Sequence, residues 1–277
     1  MFTISLVSRF PQELIDKVIE EIETDDPILH SCALVCRTFL RPSQARSFSH
    51  VDLIPTQSAR CQRLHQVLLD SPHVCRYVRS LKLVERDSIA AGDSGKLSPV
   101  INVLSILDSL MSFTFEVEAG TRDFACMNMP LELRLAICGL CERSSLLALE
   151  VSDLGEFAHV EKVASLVASP TLSEIRLQNI VFPPGSELEK VAESRPRATK
   201  FSLNLVHHDL TLLILTRWLA ECDLSGLHRL YVTWTPETAL YLQRILDTSA
   251  PTLDNARLVV HKLRVLFPVS PHVMIDE

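Results

Sequence analysis

Three groupings of side chains in this sequence have residue types that could do chemistry. His207-His208-Asp209 sets two imidazoles beside a carboxylate, the materials of a metal or catalytic site. Cys138 and Cys141 form a Cys-x-x-Cys, a zinc-like spacing among eight cysteines in all. Arg195, Arg197 and Lys200 make a small basic cluster that could meet an anion. Each has a simpler reading. Asp209 stands where a helix begins, and an acid there caps the helix or is favoured by its dipole. A structural zinc site needs four ligands, and no second cysteine pair follows at finger-like spacing. Cys32, Cys36, Cys61, Cys75, Cys126, Cys138, Cys141 and Cys222 sit mostly in apolar, helix-like segments, as small hydrophobes do. The basic cluster reads as a solvated loop on an acidic chain. There is no Gly-x-Ser-x-Gly elbow and no His-Glu-x-x-His, and seven scattered glycines build no phosphate cradle. The sequence therefore predicts a binding protein, with no catalytic residues, no metal ligands and no cofactor.

The scaffold is ample for that. The chain has 277 residues, 47% of them hydrophobic and 22% charged, enough for a sizeable core in one or two domains. Net charge is −7 and no basic stripe is present, so no nucleic-acid partner is expected. Leu210–Leu219 is the most apolar stretch, and Thr211, Thr216 and Arg217 interrupt it. That is far from the roughly 18 unbroken apolar residues of a membrane span. Met1–Phe10 has none of the three parts of a secretory signal. With unpaired thiols, these features predict a soluble protein of the cytoplasm or nucleus.

The first fifty residues predict two helices. Pro11 suits the opening position of a helix running to about Ile22. Leu14, Ile15, Val18, Ile19 and Ile22 share one arc of it, and Glu13, Asp16, Lys17, Glu20 and Glu21 take the other. Asp26 then caps a second helix that Pro27 opens. Its apolar face carries Ile28, Leu29, Cys32, Val35, Cys36 and Phe39, while Leu34 falls nearly opposite. A helix that is apolar on two sides needs two covers, and a module of some forty residues rarely stands alone.

These residues resemble a known family. Phe10-Pro11-Gln12-Glu13-Leu14-Ile15, Val18-Ile19, Ile22, Asp26-Pro27 and Cys32-Ala33-Leu34-Val35-Cys36-Arg37-Thr38-Phe39 together look like an F-box. The Asp-Asp-Pro and Cys-Ala-Leu-Val-Cys-Arg elements are like those of the F-box-like proteins of mushroom-forming fungi. Phe10 stands where the family pattern has Leu, and Phe39 where it has Trp; both keep a large apolar group. The resemblance covers residues 8–50. It implies that this module docks the adaptor protein of a cullin–RING (SCF-type) ubiquitin ligase. Leu14, Ile15, Leu34 and Val35 would supply contacts, and Pro11 would set the helix start.

Residues 51–277 repeat. An apolar-x-x-apolar-x-apolar pattern occurs at Phe48/Val51/Leu53, Val78/Leu81/Leu83, Leu110/Phe113/Phe115 and Leu146/Leu149/Val151. It returns at Leu172/Ile175/Leu177, Ala198/Phe201/Leu203, Leu227/Leu230/Val232 and Leu253/Ala256/Leu258. The copies lie about 26 to 36 residues apart, the period of repeat architectures. Between them, Gln57–Asp70, Pro99–Asp108, Pro130–Glu142, Phe157–Ala168, Asp209–Cys222 and Pro236–Thr248 read as helices. Glu85–Lys96 and Glu116–Asp123 read as surface loops; from His261 on no polar cap repeat is readable, so either the chain is shortened there or Leu263–Val269 folds back over the open end. The predicted fold class is α/β: parallel strands with helices on one side, following the N-terminal helices. This is similar to a leucine-rich-repeat horseshoe, in degenerate form. The Asn or Cys of the regular repeat is replaced by Arg86, Leu154, Ile180 and Thr235.

Strand alternation turns the middle residue of each apolar-x-apolar pair away from the helices. Those residues are Asp52, Lys82, Thr114, Glu150, Arg176, Ser202, Tyr231 and Arg257. Lys200 and Arg229 lie two positions earlier on the same side. Arg176, Lys200, Arg229, Tyr231 and Arg257 are therefore the candidate substrate-binding residues, facing an unidentified target protein. Two functions follow: a ubiquitin-ligase substrate receptor, or a repeat scaffold for protein–protein interaction that keeps a vestigial F-box as a cap.

Overall fold

The computed structural model describes residues 10–24, 26–85, 94–117, 131–143, 145–152, 171–178, 180, 198–204, 209–222, 224–260 and 273–276. Three helices come first: α1 (Gln12–Glu20), α2 (Pro27–Val35) and α3 (Arg37–Ser47). Pro11 is one residue outside α1, with ψ 139°, and its carbonyl accepts the amides of Leu14 and Ile15 at 3.1 and 3.4 Å. Asp26 caps α2, its carboxylate accepting the Ile28 amide at 2.8 Å. The second helix was expected to run to Phe39. It stops instead at Cys36, which is extended (φ −164°, ψ 169°), and a separate α3 begins. Ile15, Ile19 and Leu29 form a small buried core, with Ile22, Cys32 and Phe39 packed around it. The Arg46 Nε donates to the Ile22 carbonyl at 3.0 Å and ties α3 to the end of the first helix.

The remaining strands form one parallel sheet of nine, in chain order. They are β1 (His50–Leu53), β2 (Ser80–Glu85), β3 (Ser112–Val117), β4 (Ala148–Ser152) and β5 (Glu174–Gln178). Then follow β6 (Lys200–Asn204), β7 (Arg229–Trp234), β8 (Asn255–Val260) and β9 (Val273–Asp276). Connecting helices are α4 (Ser58–Asp70), the single turn α5 (Pro72–Cys75), α6 (Ser94–Ile106), α7 (Leu131–Cys141), α8 (Asp209–Ala220) and α9 (Ala239–Ser249). A 3-10 turn, Pro236–Thr238, leads into α9. The expected helix Phe157–Ala168 lies outside the described residues, as does Leu263–Val269.

The apolar triplets explain the sheet. Val51, Leu81, Phe113, Leu149, Ile175, Phe201, Leu230 and Ala256 stand side by side in register, one per strand. Leu53, Leu83, Phe115, Val151, Leu177, Leu203, Val232 and Leu258 make a second row. Both rows, Ala256 aside, meet Leu68, Leu104, Leu140, Leu215, Trp218 and Ile245 from the helices in one continuous core. The period of two in each strand and the helical period between strands thus point at the same layer boundary.

A second device fixes the register. The residue just before each of β1–β7 offers its carbonyl to two successive amides leading into the next strand. Ser49 accepts Arg79 and Ser80, Arg79 accepts Met111 and Ser112, and Met111 accepts Leu147 and Ala148. The series continues through Leu147, Ser173, Thr199 and His228, all within 2.7–3.1 Å. Side chains reinforce it: the Thr199 hydroxyl donates to Ser173 O at 3.0 Å, and the Thr252 hydroxyl reaches Ser225 O at 2.8 Å.

Two expected loops are shorter at their ends. Glu85 closes β2 and is buried, Ser94–Lys96 belong to α6, and Glu116 and Val117 belong to β3. Helix α6 encloses Pro99, which forgoes one backbone hydrogen bond.

Candidate functional site

The described residues present two surfaces with chemistry to offer. The first is on the helical pair α1 and α2. Within α1, Ile15 is 4% exposed and Ile19 1%, whereas Leu14 is 50% exposed and Val18 60%. Leu14 and Val18 are one helical turn apart and form a stripe on the water side of α1, and Phe10 is exposed just ahead of the helix. On α2, Leu29 is buried while Ile28, Leu34 and Val35 stand in solvent, Leu34 at 87%. Pro11 is exposed as well. Of the five residues expected at an adaptor contact, Pro11, Leu14, Leu34 and Val35 are surface residues, and Ile15 is part of the module's core. The helical wheel gave a single apolar arc; the fold splits it, with one edge inside and one outside. Phe10, Val18 and Ile28 were not singled out for the surface, and their apolar types at the arc's edge were the available signal.

An open cleft of about 940 Å³ runs beside this surface, between α1, α3 and Tyr77. Asp16 and Glu20 line it with Arg37, Arg41 and Arg46, a mixture of charge with no single preferred ligand.

The second surface is the sheet face away from the helices. Asp52, Lys82, Thr114, Glu150, Arg176, Ser202, Tyr231 and Arg257 are successive neighbours in one register row. Glu174, Lys200, Arg229 and Asn255 are successive neighbours in the row two positions earlier. All are exposed or half-buried. The five expected substrate-binding residues therefore share one surface, but their surroundings differ. Arg176 donates to Glu174 Oε1 at 2.8 and 2.5 Å, and its guanidinium lies 3.7 Å from Glu150. Lys200 is 3.8 Å from Glu174. Arg257 lies over the ring of Tyr231, 5.4 Å from its centroid, a cation–π contact. Arg229 is exposed and has no ion pair among the described residues. Farther along the face, Lys82 sits 2.6 Å from Glu116. Its pKa is raised chiefly by that hydrogen bond, with the Glu116, Asp52 and Glu150 charges adding to it. Glu150 and Glu174 were not picked out from the sequence. Glu174 is two residues before Arg176 on the same strand face, a spacing that could have revealed their pairing.

The other groupings offer little by comparison. His207 and His208 lie outside the described residues, and Asp209 is the first residue of α8. Burial pushes the Cys141 thiol up to about 12, which makes it a poor nucleophile and a poor metal ligand. No group of three His, Cys, Asp or Glu that could hold a metal ion occurs among the described residues. No helix among them is long and apolar enough to cross a membrane. Arg195 and Arg197 fall outside the described residues, and Lys200 opens β6.

No family model matches this sequence, and no curated protein matches it.

Proposed function

We propose that the protein is a substrate receptor of an SCF-type cullin–RING ubiquitin ligase. In this reading α1–α3 are an F-box that docks the ligase adaptor, and the strand–helix region is a degenerate leucine-rich-repeat-like solenoid that holds a target protein. The observation that carries the reading is Leu34: a leucine 87% exposed on a helix whose opposite side is already buried. Leu14, Val18 and Val35 add further apolar side chains in water, and an exposed apolar surface of this kind is a mark of an interaction site. The motif resemblance of residues 10–39 supplies the identity of the partner. The receptor performs no chemistry itself; it holds a target near an enzyme, so that the reaction gains from proximity.

A scaffold with a vestigial F-box cap would hold Leu34 against the repeats. Its exposure weighs against that alternative. The test is co-purification of the full chain with purified adaptor. A stable complex is the expected result, and absence of any complex overturns the reading.

A further inference from the structure

The mixture of charge in the cleft beside α1 is sorted by helix. Gln12, Asp16 and Glu20 recur every fourth residue, so one polar stripe of α1 forms an acidic wall. Arg37 and Arg41, one turn apart on α3, form a basic wall. The two helices run side by side in the same direction. Near their starts Gln12 Nε2 donates to Thr38 O at 3.3 Å, and near their ends Arg46 Nε donates to Ile22 O at 3.0 Å. The Thr38 carbonyl is open to Gln12 because Pro42, four residues on, has no N–H to offer it. Pro42 and Ala45, both half-buried, line the space with small uncharged side chains, and Tyr77 borders it from the side of the repeats. The walls do not neutralise one another. Among the described residues, Glu20, Arg37 and Arg41 are exposed and make no ion pair or side-chain hydrogen bond, and Asp16 accepts from Gln12 at 2.7 Å.

We propose that this groove binds an extended segment of a partner protein in which acidic and basic residues alternate. A ligand of one sign would be drawn to one wall and repelled by the other. An extended chain turns successive side chains to opposite sides, so alternation of sign puts its cations toward α1 and its anions toward α3. The spacing agrees. Residues four apart on a helix are separated by about 6 Å along its axis, and same-side residues of an extended chain by about 6.5–7 Å. The cleft, about 940 Å³, falls within the roughly 300–1,000 Å³ of binding clefts. Leu14 and Val18 are two positions from Asp16 and Glu20, about 200° round the helix. The cleft therefore stays open when the apolar side of α1 is covered.

This site goes beyond the adaptor surface, and its test needs no adaptor, so the two readings fail separately. The full chain is titrated, by fluorescence polarisation, into three labelled eight-residue peptides. One alternates Glu and Lys, one has a block of Glu followed by a block of Lys, and one alternates Ser and Lys. The Glu-Lys alternating peptide is expected to bind about tenfold more tightly than the block peptide, which has the same composition and net charge. Arg37→Gln, Arg41→Gln and Glu20→Gln are each expected to weaken it about three- to fivefold, the upper end of what an exposed ion pair contributes. Arg63→Gln, at an exposed position of α4 outside the cleft, is expected to leave binding within about twofold. Thermal melts verify that each variant folds. No binding of the alternating peptide, or equal binding of the alternating and block peptides, overturns the site. So does equal weakening by Arg41→Gln and Arg63→Gln, which would make the effect one of net charge alone. A Ser-Lys peptide that binds as tightly as the Glu-Lys one would leave the basic wall without a role and overturn it as well.

Discussion

Leu14 and Ile15 are consecutive residues of α1 with opposite surroundings: Ile15 is sealed against Ile19 and Leu29, and Leu14 stands in water. Their substitutions should therefore separate docking from folding. Leu14→Asp combined with Leu34→Asp is expected to abolish adaptor co-purification. Two large aliphatic contacts are worth roughly 3–6 kcal/mol of the about 8 kcal/mol of a micromolar affinity, and a buried charge adds its own penalty. The thermal melt of the full chain should be unchanged, because neither side chain supports the core. Ile15→Ala should instead cost about 2–5 kcal/mol in the stability of the helical module, read by amide exchange across α1–α3. Loss of fold in the double aspartate variant, or retained docking, would count against the assignment.

The helical module is held by few side chains of its own. Among the described residues, Ile15, Ile19 and Leu29 are its only buried apolar side chains. Residues 1–50 expressed alone are expected to give no cooperative melt, since so small a core does not offset the ordering of some forty residues. Adding the adaptor should restore helical circular dichroism. A monomeric fragment that melts cooperatively on its own would refute this.

Much of the repeat region is legible because its signal is local. The eight apolar triplets require only that side chains alternate along a strand, and every one lands on β1–β8 or at the entry to it. The outward residues follow from the same alternation. Their electrostatics do not, because Lys200 meets Arg229 only once two segments 29 positions apart are set in register. The break at Cys36 is illegible for another reason: Leu34-Val35-Cys36-Arg37 contains no proline or glycine to mark it. Strand β9 escaped because Ser270 stands where the triplet would need an apolar residue ahead of Val273 and Ile275. Ile15 was placed on the surface because a wheel gives the direction of a side chain and not the position of its neighbours.

Alkaline pH should weaken the fold by way of Cys141. Burial raises its thiol from the ordinary 9.0 to about 12, so the folded state keeps the proton that the unfolded chain loses. A raised folded value means the contribution is complete below pH 9 and is lost as pH rises toward about 12. The loss should reach about 1.4 kcal/mol by pH 10. Burial acts in the same direction on Cys61 and Cys75. Urea denaturation at several pH values measures the slope, and Cys141→Ala should flatten it while lowering stability at neutral pH. An unchanged slope would exclude Cys141 as its source.

Thr252 tests the joints between repeats. Its hydroxyl lies 2.8 Å from Ser225 O and 3.1 Å from Leu227 O, both in the preceding connection. Thr252→Val keeps the shape and removes the donor, and should cost about 1 kcal/mol, seen as a lower denaturant midpoint with the same slope. No shift would mean that water replaces the hydroxyl at no cost.

The strand order repeats the chain order, from β1 to β9, and from β1 to β8 the carbonyl before one strand hands two bonds to the next unit. A segment of about thirty residues can therefore be gained or deleted between two strands without rerouting any other part of the chain. Each such event would lengthen or shorten the outer face by one strand width, about 4.8 Å. The length of that face is, in this molecule, a quantity that heredity can change in whole units.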